Sequence, residues 1–274
     1  MPDNPRISII SPSKNTGRFA RETIDSIRAQ SYSDWEHIVV DGVSSDETPD
    51  VIRRYPHIRY ISEADSGPDE AFRKGLALAK GEYIMFCGIS DGYLDKNWFK
   101  KCVGVLDNHP EIALVWGFPQ YMSEDGTLGR IAYDYFFDAP PPQGADFIYF
   151  WLKTHVHFTE GNFCVRKNVM DACFPLVDPG KVGGENEFLS FNYNFNTQGY
   201  LPYFIPVVAN YGRIHQDAGG QRQLASGQAA KWRDRYHNDI EKYKRQIVKG
   251  KAVHRFRDGS GNIMPKGFDL RKIA

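Results

Sequence analysis

The chain has 274 residues, 41% apolar and 25% charged, with 34 Lys/Arg against 34 Asp/Glu. That length holds one large α/β domain or two small ones with a real core, and a balanced charge gives no reason to expect a nucleic-acid partner. Four cysteines without a CxxC pair speak against a zinc site or a secreted disulfide scaffold, and the polar start Met1–Arg6 against a signal peptide, so a soluble protein of a reducing cytoplasm is expected.

Arg6–Ser11 is a short β-rich run closed by Pro12, and residues 17–31 place Phe19, Ile24 and Ile27 at helical spacing. Trp35–Val40 reads as a second strand ending at the turn pair Asp41-Gly42. Ser44 and Glu47, three apart ahead of Pro49, have the form of a capping box. Ile58–Ser62 is a third strand, a helix runs from about Asp69 to Lys80, and Tyr83–Cys87 is continuously apolar and therefore central. A helix over 97–108 and a strand over Ile112–Phe118 follow. Strands alternating with helices predict βαβ units, a mostly parallel sheet, and ligands beyond the carboxyl ends of its strands.

After Phe118 the rhythm changes. Glu124–Thr127 reads as a hairpin tip and Ala139–Gly144 as a stiff loop. His155 and His157 stand two apart, as on one face of a strand, and could be a metal pair. From Gln221 onward, Trp232, Tyr236, Ile240, Tyr243 and Ile247 recur every three or four residues, predicting one long amphipathic helix packed on the body. Residues 231–274 carry 13 Lys/Arg against 5 Asp/Glu. A basic end on an acidic body suits either a solvated helix face or contact with anionic lipid headgroups.

Carboxylates gather where a ligand would lie. Asp41 ends the second strand, Glu63 and Asp65 the third, and Asp91 follows the fourth. Such a group repels itself unless a cation or hydrogen-bond donors offset the charge, which points to a nucleotide–metal site. Three segments, in order, carry a resemblance: Trp35–Thr48 with its DGVSSDET loop, Ser62–Gly75 (SEADSGPDEAFRKG), and Gly81–Phe86. Together they resemble the GT-A-fold glycosyltransferases of family 2, in particular members that build bacterial surface polysaccharides. The likeness is dense over residues 6–95, weaker to about 215 and absent beyond.

The resemblance implies a Rossmann-like α/β domain of the GT-A type, to which the amphipathic pattern adds a C-terminal helical extension. The nucleotide-sugar half is residues 1–118, the acceptor half 119–220, and the extension 221–274. The resemblance implies inverting transfer of a sugar from a UDP, GDP or dTDP donor to a glycan or lipid-linked acceptor, with Mn²⁺ or Mg²⁺ as cofactor; peripheral membrane contact is an expectation from the basic C-terminal region. Residue by residue, Pro12, Ser13, Asn15 and Asp41 fall beside the base, and Asp65 and Lys74 near the ribose and diphosphate, with Arg73 a second cation. Lys14 stands where the family usually has Tyr, and Ser90 where it usually has the first of two Asp residues; Ser90 falls at the ribose and Asp91 on the metal. His215 matches a late metal ligand and Glu160 an acceptor contact. Glu185, with Glu187 in reserve, matches the base that takes the acceptor proton. A dinucleotide-binding enzyme is excluded by the missing G-x-G-x-x-G after the first strand. The alternative left open is a catalytically inactive module that keeps the fold and binds a nucleotide or glycan.

Overall fold

The computed structural model describes residues 4–174, 187–216 and 225–272. Strands β1 (Ile7–Ser13), β2 (Trp35–Asp41), β3 (Ile58–Ser62) and β4 (Tyr83–Phe86) form within a residue or two of the expected positions. They lie in the order β3-β2-β1-β4, all parallel, with Ile7 opposite both Trp35 and Tyr83. Helices α1 (Gly17–Arg28), α2 (Thr48–Ile52), α3 (Pro68–Leu78) and α4 (Trp98–Asn108) make the connections, with the short β5 (Gly92–Tyr93) ahead of α4.

Both faces of this half are covered. On β2, Ile38 and Val40 join the core that includes Ala71 and Phe72 of α3, while Val39 joins Ala20, Ile24 and Ile52 of α1 and α2. The period-2 alternation of a strand therefore meets helices on either side, and apolar residues fall on both faces of β2. The capping box does not form. Ser44 gives its hydroxyl to Asp41, and it is the Asp46 carboxylate that accepts the Thr48 N–H and hydroxyl and the Gly17 N–H. A short carboxylate reaches the N–H two residues on more readily than Ser44 reaches across the turn.

The rest of the sheet is mixed. Beyond β4 come β8 (Phe163–Arg166), β6 (Ile112–Met122), β9 (Leu201–Arg213) and β5, with β7 (Leu128–Ile131) paired to β6 through the predicted hairpin. β8 runs antiparallel to both neighbours, and β9 is parallel to β6. The parallel expectation thus holds for the first four strands and stops at β8. Helices α5 (Phe147–Thr154), α6 (Lys167–Cys173), α7 (Glu187–Gln198) and α8 (Gln228–Val248) complete the elements that matter here.

The long terminal helix packs on the body as expected. It buries Tyr236, Ile240 and Ile247, and Trp151 Nε1 donates to the Tyr236 hydroxyl at 2.8 Å. His155 and His157 are not strand neighbours. They follow α5, where His155 takes a left-handed φ of 56° and bonds Glu241 of α8 at 3.0 Å, while His157 packs near Tyr236. All four cysteines are buried and free. Among the described residues no helix is long and apolar enough to cross a membrane.

Candidate active site

The loops after β1 and β2 are stitched together by side chains. Asn15, in the left-handed region at φ 53°, accepts the Ser45 N–H at 2.9 Å and donates its own N–H to the Ser44 hydroxyl at 2.7 Å. Ser13 bonds Thr16, and its carbonyl accepts the Gly42 N–H; Pro12 is buried beside it. Asp41 is fully buried and takes four donors: the Ser44 N–H and hydroxyl, the Tyr60 hydroxyl and the Ser62 hydroxyl. Three of these fall on Oδ2 and only the Ser44 hydroxyl on Oδ1, so among the described residues Oδ1 keeps acceptor capacity for a further donor. Next to it Val43 holds φ 60° with 57% of its surface exposed. A β-branched residue there stores about 1–2 kcal/mol of strain, which the Asp41–Ser44 bonds sustain.

Asp65 reaches this loop pair because residue 42 is glycine: a Cβ there would stand 2.7 Å from Asp65 Oδ2. Burial raises the Asp65 carboxyl, against the Gly67 N–H bond and the charges of Lys14 and Lys74. Lys14 therefore brings a cation where the family places an aromatic ring. Lys74 is tethered to its own neighbourhood, with Nζ 2.6 Å from the Ala64 carbonyl and 3.3 and 3.4 Å from Glu63 and Glu70. Arg73 points elsewhere, to Glu187 at 2.5 Å.

Asp91 follows β4. Its Oδ1 accepts the Arg213 N–H at 2.9 Å and it also takes the Ser90 hydroxyl; burial nonetheless pushes its carboxyl up to about 6. Arg213, almost wholly buried at the end of β9, bonds the carbonyls of Ser90, Ser123 and Glu124 and pairs with Glu22 of α1. This guanidinium fixes the Ser90-Asp91 turn against the hairpin. Two residues further on, His215 is buried with its ring 4.9 Å from Phe19.

Asp91 opens a line of coupled carboxyls that runs through Glu160 and Asp69 to Glu187. Glu160 is exposed, and its carboxyl is pushed up by desolvation and then by Asp91, the more weakly because solvent reaches it. Gly161 beside it has φ 88°, and a Cβ there would meet the Asn210 amide at 2.7 Å, so glycine is what lets the Glu160 loop lie against β4 and β9. Asp69, in the first turn of α3, is pushed up to about 6 by burial and then by Glu160. Glu187 is raised by burial and by Asp69, its N–H lies 3.5 Å from Asp69 Oδ2, and its Oε1 is held by Arg73. The start of α7 is set by packing: Phe188 meets Phe72, Phe86 and Phe174 with ring centroids 5.1–5.3 Å apart. Glu185 lies outside the described residues.

The sequence matches the family model described as "Glycosyl transferase family 2" over residues 8–174. The chain belongs to that family. Among curated relatives it is 33% identical over 132 residues to a "Putative teichuronic acid biosynthesis glycosyltransferase TuaG" of Bacillus subtilis, covering 45% of this chain and 50% of that protein. It is 31% identical over 118 residues to a "PGL/p-HBAD biosynthesis glycosyltransferase" of Mycobacterium bovis, covering 41% and 46%. The chain thus spans about half the length of the curated relatives it matches. Two solved structures share the GT-A fold: S. aureus TarS 1-349 in complex with UDP-GlcNAc (TM-score 0.60, 14% identity, 89% of this chain and 73% of that one), and the mannosyltransferase PcManGT from Pyrobaculum calidifontis in complex with GDP-Man and Mn²⁺ (0.59, 15%, 91% and 77%).

Among the described residues no three His, Cys, Asp or Glu side chains converge at ligand geometry. Asp91, whose carboxyl burial raises against the nearby Arg213 charge, is a hard oxygen donor of the kind that fits a cation keeping several waters. Sequence reasoning missed Asp69 and Arg213. Asp69 follows Gly67-Pro68 and reads as an ordinary dipole-favoured acid of a first turn, and nothing local marks Arg213 as a buried cation.

Proposed function

We propose that the chain is an inverting glycosyltransferase that moves a sugar from a nucleotide-diphosphate donor onto an acceptor hydroxyl in building cell-surface polysaccharide. The observation that carries this reading is the meeting, at the carboxyl ends of β1, β2 and β4, of the stitched Asn15–Asp41 loops, Asp65 and Asp91. The two relatives named for surface-glycan biosynthesis support the pathway class, and the UDP-GlcNAc and GDP-Man neighbours support the donor class.

In this reading residues 1–118 hold the donor, 119–220 the acceptor, and 221–274 form an extension at the cytoplasmic membrane face. Pro12, Ser13, Asn15 and Asp41 frame the base, and Asp65, Lys74 and Ser90 lie toward the ribose and diphosphate. Asp91 and His215 would hold Mn²⁺ or Mg²⁺, which when bound neutralises the departing diphosphate. Glu185 takes the acceptor proton as the anomeric bond breaks, Glu187 being the reserve, and Glu160 contacts the acceptor. Which of UDP, GDP or dTDP is used is left to experiment. The second reading, an inactive binding module, draws on Ser90, whose hydroxyl serves Asp91 where a carboxylate is usual.

Glu185→Gln separates the two. In a transfer assay with a panel of donors and purified cell-envelope glycans, the wild type should transfer sugar. The variant should lose at least ~100-fold in rate, while keeping the melting shift given by nucleotide plus Mn²⁺. Unchanged transfer by the variant removes Glu185 as base; a wild type that binds nucleotide but never transfers favours the inactive module.

A further inference from the structure

Asp69 has no role in the proposed chemistry, and Glu187 only that of a reserve base. Asp69 is on α3, Glu187 opens α7, and Glu160 is in electrostatic reach of both Asp69 and Asp91. Among the described residues the cation that touches Asp69 and Glu187 is Arg73, and it is committed to Glu187 Oε1. Glu187 is 9% exposed, and its Oε2 has no hydrogen-bond partner among the described residues. A buried carboxyl oxygen without a donor is costly, and an adjoining second carboxyl makes it costlier. Such an oxygen is satisfied by a ligand that brings hydroxyl groups.

Resting on the donor-sugar reading above, we propose that Asp69 and Glu187 select an uncharged sugar, accepting its ring hydroxyls and repelling a uronic acid. The sugar hangs from the diphosphate at Asp91 and extends along the carboxyl line. Glucose- or mannose-like rings offer adjacent O–H donors, and charge-assisted bonds of that kind to a carboxylate are among the stronger ones. A carboxylate on the sugar would instead face Asp69, Glu160 and Glu187, with the one guanidinium already neutralised. A site that leaves a polar group unpaired, or sets like charges together, discriminates more sharply than one that merely fits a shape.

The test is a set of affinities on the full chain with Mn²⁺ present. For the nucleotide that binds, the diphosphate alone is the reference; the neutral hexose donor and its uronate (UDP-glucose and UDP-glucuronate, or GDP-mannose and GDP-mannuronate) are compared with it. The wild type should bind the neutral donor at least 10-fold more tightly than the uronate. Asp69→Asn, and Asp69→Ser as a second variant checked for folding by melting, should shrink that ratio several-fold and also weaken the neutral donor relative to the diphosphate. Equal binding of both donors by the wild type, or a ratio that neither variant moves, overturns the assignment while leaving the transferase reading intact. Failure of every nucleoside diphosphate to bind sinks the transferase reading, and this inference falls with it.

Discussion

Asp69 shows how much a single carboxyl's surroundings decide. Its ordinary value near 3.8 is pushed up to about 6, first by burial and then by Glu160. The protonated form is thus favoured in the folded state, so its contribution to stability is fully present below about pH 4 and is lost as pH rises through 6. The shift corresponds at most to about 3 kcal/mol, and partial solvation reduces this to about 1–2 kcal/mol. Asp69→Asn should therefore melt a few degrees above the wild type at pH 7.5, with the gap closing by pH 4. A variant that melts lower at pH 7.5, or by the same margin at both pH values, contradicts this. Other site residues were legible from the chain alone to different degrees. Asp41, Asp65 and Asp91 could be placed because strand ends announce themselves by turn pairs and apolar runs. That Asp41 is already held by Ser44, Tyr60 and Ser62 could not be read, since those partners come from a loop and a neighbouring strand. Arg73 was expected near phosphate and instead meets a glutamate 114 residues away, a contact that no local pattern encodes.

Among the elements, β1 to β4 were readable because helices cover both faces and the strands carry short runs rich in apolar residues bounded by turn signals. β8 was not, being four residues long, and β9 was not, because Pro202 and Pro206 interrupt its strand pattern. Those prolines are tolerated because β9 has an open edge along this stretch. Gln143 closes part of it: its amide donates to the Phe204 carbonyl at 3.0 Å and accepts the Phe204 N–H at 2.8 Å, standing in for a strand. The end of α8 carries a different surface. Val248 and Val253 are 58% and 77% exposed, set among the exposed Arg245, Lys249, Lys251 and Arg255. Basic residues contribute about 1 kcal/mol each near an anionic bilayer, and small apolar side chains add insertion. The protein should float with vesicles containing phosphatidylserine at low salt and not with neutral ones, and Lys249→Glu with Lys251→Glu should lower the bound fraction several-fold. No flotation at low salt removes the membrane face from the account.

At the scale of the molecule, the parallel half and the mixed half share one sheet, and β9 returns along β6 to bring Arg213 and His215 to the strand-end side where Asp91 lies. Carboxyls from both halves then come within electrostatic reach of one another: Asp69 and Asp91 from the first, Glu160 and Glu187 from the second. So many acids around a site for an anionic diphosphate make electrostatic sense only if a cation arrives with the ligand. That coupling is the central claim. Calorimetric titration with UDP, GDP and dTDP, in Mn²⁺ and again after chelation, measures it most directly, with Asp91→Asn beside the wild type. The account predicts that one nucleotide binds at least 10-fold more tightly with Mn²⁺, and that Asp91→Asn loses this gain. Affinity that ignores both chelation and the loss of the Asp91 charge would contradict it.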